Sequence, residues 1–178
     1  MPILDDPEPE FISVREYLGT SYRPDCEYLD GRLEERNLGE YDHGLLQLIL
    51  GQLFMNNREA WKIRAVTDVR TQVKRSRFRV PDLSVLRTDA PKEQIITHPP
   101  LIVIEILSPE DRLSRFQDRI EDYLAFGIEH IWIIDPNRRE AYTATASGLH
   151  PVRTNELTVP ETPIRVVLSE LFAELDRV

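Results

Sequence analysis

Along the chain the spacing of apolar positions changes period several times, and each change predicts an element. FISVREYLG reads as a brief helix after a short acidic lead. CEYLDGRLEER sets Asp30 and Gly31 between two apolar and polar runs. Glycine tolerates the positive φ of a tight turn, so this is a hairpin signal. Asp42 stands where it can cap a helix in which Leu45, Leu46, Leu48, Ile49, Leu53 and Phe54 form a broad apolar face for packing on a sheet. IRAVTDV, TQVKR and FRVPDLSVLR follow as strands, with LIVIEILS the most buried. Helical spacing returns over 114–126 at Phe116, Ile120, Tyr123 and Leu124, and Gly127 can cap its end. HIWIIDP is a further strand closed by a proline turn, with Asp135 expected as a turn residue. AYTATASG and the segments after it read as antiparallel edge strands, and VVLSELFAEL as a closing short helix. This order of helix, strands, helix and strands predicts an α/β or α+β domain on one mixed sheet. No repeat or low-complexity segment interrupts it, and residues 1–178, with 41% hydrophobic residues, are expected to form one domain.

Composition narrows the setting. A single cysteine, Cys26, allows no internal disulfide framework and makes a reducing cytoplasm the expected compartment. MPILDDPEPE lacks the basic and apolar regions of a signal peptide. GLLQLILGQLFMNN is uncharged but shorter than the roughly 20 apolar residues that span a bilayer, so a soluble protein with no membrane partner is expected. With 22 Lys plus Arg against 31 Asp plus Glu, the net charge of −9 argues against broad attraction to nucleic acid. One segment departs from this: RTQVKRSRFR holds Arg70, Lys74, Arg75, Arg77 and Arg79 and no acid. It reads either as a solvated hairpin of alternating charge or as a local phosphate contact.

Two acids stand out against the apolar pattern. Glu105 sits among six aliphatic residues in LIVIEIL, where an ionised carboxylate costs several kcal/mol unless it is protonated, paired or bound to metal. Arg112 or Arg115 could pair with it. In FRVPDLSVLR, period-2 alternation puts Val80, Asp82, Ser84 and Leu86 on one face. Asp82 could simply bond to nearby backbone. If neighbouring strands bring the two acids together, repulsion raises one pKa unless a divalent cation lies between them. A hard cation such as Mg²⁺ takes one or two carboxylates and leaves its other positions to water and phosphate oxygens, which suits phosphodiester hydrolysis.

Pro81-Asp82, Glu105 in IVIEILSP, and YLAFGIEHIWIIDP together resemble the Uma2 family, a DUF820-type group of restriction-endonuclease-like proteins in the PD-(D/E)xK nuclease superfamily. EYLDGRLEE is similar to the family's early hairpin, YDHGLLQLIL to its first core helix and LSELFAEL to its C-terminal element. The resemblance implies a restriction-endonuclease-like mixed sheet flanked by helices. It implies Asp82 and Glu105 as ligands of Mg²⁺ or Mn²⁺, with the Ile106 carbonyl as an extra ligand, and DNA as the partner. A homodimer is left open.

The superfamily's lysine would fall at Leu107; in Uma2-like proteins it is displaced to the following helix, at the place held here by Arg119. Arginine stays protonated, so Arg119 could stabilise developing charge but is a poor general base. Its bland reading is a surface residue paired with Asp118, Glu121 or Asp122. His43, at the start of the first core helix, could carry a proton near the metal or be only a helix-start side chain. Glu27 and Glu34 in the hairpin could reach a second metal, whereas His98, His130 and His150 show no ligand spacing. A metal-dependent DNA endonuclease is therefore expected, with a noncatalytic nuclease-fold module binding nucleic acid or protein as the alternative.

Overall fold

A computed structural model describes residues 11–37, 39–109, 111 and 113–177, with backbone alone for 113–115. Arg112 and the Arg115 side chain, two partners open to Glu105, lie outside the described residues, as does the acidic lead.

The N-terminal elements form as the pattern predicts. Helix α1 (Val14–Gly19) is capped by Ser13, whose Oγ accepts the Glu16 N–H at 3.1 Å. Strands β1 (Cys26–Leu29) and β2 (Arg32–Glu35) make a hairpin whose turn residues Asp30 and Gly31 both have positive φ, 52° and 94°. Helix α2 spans Tyr41–Trp61. Its N-cap is Glu40, without a side-chain cap bond, so Asp42 lies inside the first turn and not at the cap. Leu46, Leu50 and Phe54 are its buried residues, while Leu48, expected on the core face, points outward at 68% exposure.

The expected single sheet is replaced, among the described residues, by three. Strands β3 (Ile63–Thr67), β6 (Leu83–Arg87), β7 (Ile102–Ile106), β8 (His130–Asp135), β9 (Glu140–Thr145) and β10 (Gly148–Pro151) form a six-stranded sheet in the order β10-β9-β8-β7-β6-β3. Strands β4 (Thr71–Lys74) and β5 (Arg77–Arg79) join the first hairpin in the order β2-β1-β5-β4. Strands β11 (Glu156–Thr158) and β12 (Arg165–Val167) pair apart from both, so β10 alone of the late strands edges the large sheet. FRVPDLSVLR is thus two strands in different sheets. Pro81 has no N–H to give a ladder, and the chain changes sheet across Val80, Pro81 and Asp82.

β7 and β8 are parallel, as a strand pair joined by a crossover helix must be, and α3 (Leu113–Phe126) is that helix. Gly127, at φ 97°, ends it. The unbroken apolar run of β7 follows from burial on both faces. Ile102, Ile104 and Ile106 pack under α2 and α4 (Leu168–Asp176) together with Trp132 and Ile134. Val103 turns the other way, toward Phe116, Ile120 and Tyr123 of α3. Each such fully buried side chain contributes about 1.5–3 kcal/mol. Alternation then puts Glu105 on the α3 face, inside a core.

Candidate active site

Asp82 and Glu105 meet at the seam of the two larger sheets. β6 and β7 pair antiparallel with Leu83 opposite Ile104, so Asp82 stands one position beyond, opposite Glu105. Both side chains are buried. Leu83 and Ile104 face α2, which turns their neighbours Asp82 and Glu105 together toward α3.

Asp82 is held by three separate segments. Its Oδ2 accepts the Ile106 backbone N–H at 2.7 Å and lies 3.2 Å from His43 Nε2; its Oδ1 accepts Arg36 Nη2 at 2.9 Å. Burial alone would raise this carboxyl, but the hydrogen bond and charge of His43, then Arg36 and the Ile106 N–H, hold it below its ordinary value. Burial likewise disfavours a charged His43, and the bond to Asp82 overrides it, raising the imidazole above 6.5. Arg36 also donates to Asp68 Oδ1 at 2.8 Å. Gln47, one turn after His43 on α2, donates to both Asp68 Oδ2 and the Asp82 carbonyl, at 2.9 and 2.8 Å.

Glu105 has a different environment. The Tyr123 hydroxyl donates a short hydrogen bond to its Oε1, and Arg119 Nη1 donates to its Oε2 at 3.2 Å. Burial pushes the carboxyl up to about 7, against the pull of the Arg119 guanidinium and with the Asp82 charge adding to the rise. Arg119 is not a surface residue paired along its own helix: its Nε also lies 3.5 Å from Glu27 Oε1. Spaced one turn apart on α3, Arg119 and Tyr123 grip the same carboxylate.

A cleft of about 190 Å³ opens here, walled in part by Asp82, His43, Arg36, Asp68, Asp111 and Arg119. Glu105 does not itself line it; Arg119, which does, holds it. Leu107, where the resemblance would place a lysine, packs into the α3 core.

Two facing carboxylates beside an open polar cleft fit a hard ion that keeps several waters. Among the described residues no group of three His, Cys, Asp or Glu side chains is arranged to hold a metal, so the set is minimal, and both acids now spend oxygens on arginine.

The basic segment is corrected by the fold. Arg79 is 1% exposed and pairs with Glu27 Oε2 at 2.7 Å and Asp122 Oδ2 at 2.8 Å, so it can touch no phosphate. Arg77 binds Asp30 and Asp122, and Lys74 reaches Asp122 at 3.0 Å. Arg70 lies 4.5 Å over the Tyr17 ring and donates to the Thr20 carbonyl at 3.0 Å near the end of α1. Arg75 alone of the five remains exposed without a described partner of its side chain. Neither reading anticipated this: the hairpin forms, yet most of its cations point inward at buried acids. Glu27 is one of those acids, which turns it from a second metal ligand into an anchor; Glu34 lines the cleft. Asp135 accepts the Asn137 and Arg138 N–H groups, as a turn residue should.

Arg36, Gln47 and Asp68 were missed. Gln47 carried a signal, a polar side chain one turn from His43 in an otherwise apolar run; Arg36 and Asp68 carried none, because only tertiary folding brings them to Asp82.

A family model described as "Putative restriction endonuclease", Uma2, matches residues 15–171. The chain belongs to the Uma2 family. A crystal structure of a putative nuclease of DUF820 from Anabaena variabilis ATCC 29413 aligns with a TM-score of 0.77 and 21% identity, over 92% of this chain and 99% of that one. That likeness shows the fold, so this Uma2 chain has the mixed α and β architecture of that protein. A DrdV–DNA complex matches at a TM-score of 0.38 and 18% identity, over 72% of this chain and 11% of that one, too weakly to support an argument. No curated protein matches the chain. Among the described residues no helix is long and apolar enough to cross a membrane.

Proposed function

We propose that this Uma2 protein is a Mg²⁺- or Mn²⁺-dependent endonuclease acting on DNA in the cytoplasm. One observation carries the reading: two buried carboxylates, Asp82 and Glu105, stand opposite each other beside a polar cleft. Burying like charges together is costly, and a shared cation offsets that cost.

In this reading Asp82 and Glu105 hold the ion with the Ile106 carbonyl. The bound metal supplies Lewis-acid polarisation of a phosphate oxygen and a water of lowered pKa. The Ile106 N–H fixes the Asp82 carboxylate, and the Tyr123 hydroxyl fixes Glu105. Arg119 leaves Glu105 to meet negative charge developing on the phosphate, for which a permanently protonated guanidinium is suited. His43, already exchanging a hydrogen bond with Asp82, holds a proton at Nε2 for the departing oxygen.

A specific observation favours the alternative, a noncatalytic module: Arg36 and Arg119 already neutralise both acids, and Leu107 replaces the lysine. The experiment is cleavage of plasmid and single-stranded DNA with each metal, wild type beside Asp82→Ala. Cleavage lost in the variant supports the enzyme; no cleavage by wild type supports the module.

A further inference from the structure

The uncharged run that is too short to span a bilayer meets the cleft only at Gly44 and Gln47, and its outward face is otherwise unexplained. It forms the body of α2, and no Asp, Glu, Lys or Arg occurs between Asp42 and Arg58. A helix on a protein surface ordinarily carries charge on its outward face. Here the outward face bears Tyr41, Leu48 and Met55, at 69%, 68% and 45% exposure, spaced by seven residues. Gly44 and Gly51 fall between them, and all five lie within roughly 80° of the helix circumference at about 100° per residue. A side chain at either glycine would meet no atom of this chain within 4 Å. Glycine inside a helix is destabilising relative to alanine, and although Gly44 borders the cleft, Gly51 makes room for nothing within one chain.

We infer that this face is an interface between two copies of the chain, with the α2 helices packed antiparallel about a two-fold axis. A two-fold interface must complement itself, residue i meeting j and j meeting i. This stripe does so: in an antiparallel pair Leu48 of each copy lies over Gly51 of the other, and Met55 over Gly44. Formal charge is confined to the ends, with Glu40 and Asp42 at the first turn and Arg58, Glu59 and Lys62 at the other. Antiparallel packing opposes the two helix dipoles and brings the acidic end, Glu40 and Asp42, to the mixed end of the partner, where Arg58 and Lys62 flank Glu59; parallel packing would stack like ends together. With a net charge of −9, two copies repel over most of their surface, and this uncharged strip is where they can touch. Gly44 also lines the cleft beside His43 and Gln47, so the second copy, with its Met55 over Gly44, sits at the rim of the cleft.

Sedimentation equilibrium of the full chain tests this. Wild type should dimerise, and Leu48→Glu should weaken the dimer by about 100-fold or more, since each substitution occurs twice and buries two carboxylates. Gly51→Ala guards against a folding artefact: it should raise the Tm of the dilute protein while weakening the dimer. Leu48→Cys mixed with Gly51→Cys should give a mixed disulfide under oxidation. A wild type that sediments as a monomer at every concentration overturns the inference, and so does a dimer that Leu48→Glu leaves unchanged.

Discussion

Replacing Arg79 by methionine should be among the most damaging changes far from the cleft. The guanidinium is buried between two buried acids, Glu27 at 2.7 Å and Asp122 at 2.8 Å. Methionine fills much of the volume and removes the charge. Glu27 is then left with the Val80 N–H at 3.0 Å and Arg119 at 3.5 Å, whereas Asp122 keeps Lys74 and Arg77. Removing one partner of a buried pair costs about 3–5 kcal/mol, and the surviving partners of Asp122 set the expectation near the lower end, about 3 kcal/mol. For a chain of this size each kcal/mol moves Tm by roughly 2–4 °C, so a fall of about 6–12 °C is expected. Urea unfolding at neutral pH measures the loss, provided the slope against denaturant is unchanged. Adding Glu27→Gln should restore part of it, because an amide does not need the cation. A loss below about 1 kcal/mol, the scale of an exposed ion pair, would refute the buried network and reopen Arg79 as a phosphate contact.

Three further outcomes are expected. The Glu105 carboxyl, ordinarily 4.5, is raised to about 7 in the fold; its stabilising contribution is therefore full at low pH and is lost as pH rises between these values, and Glu105→Gln should remove that slope from unfolding free energies measured across the range. Mg²⁺ or Mn²⁺ should raise Tm by mass action, and Asp82→Asn should abolish the rise; equal shifts in both proteins place the ion elsewhere. Arg119→Ala should lose roughly 10²-fold or more in metal-dependent cleavage, the scale of one preorganised donor, while Arg119→Lys retains activity; an alanine variant that cleaves like wild type removes Arg119 from the chemistry.

Much of the fold was legible because it rests on local chemistry. The Asp30-Gly31 turn, the doubly buried β7 and the end of α3 at Gly127 each follow from backbone tolerance or from apolar period. The break in FRVPDLSVLR was harder to read: period-2 alternation runs through Pro81 undisturbed, and only the absent N–H marks where the chain leaves one sheet for the other. The two acids could be paired in advance because a buried charge demands a partner. Their actual partners could not all be named: Arg36 follows the first hairpin and reaches Asp82 across 46 positions of sequence. The basic run misled for a related reason. Sequence shows how many cations a hairpin holds, and the acids they turn toward, Glu27 and Asp122, lie 52 and 43 positions from Arg79.

Helix α3 carries Arg119, Asp122 and Tyr123 within little more than one turn. Arg119 and Tyr123 grip Glu105, and Asp122 is clasped by Lys74, Arg77 and Arg79 from the β4–β5 hairpin. A helix turn is stiff along its axis, so it behaves as a lever with one arm in the cleft and the other in the hairpin. A substitution at Lys74, on the exposed tip of that hairpin, should therefore be felt at the groups that hold the Glu105 carboxylate.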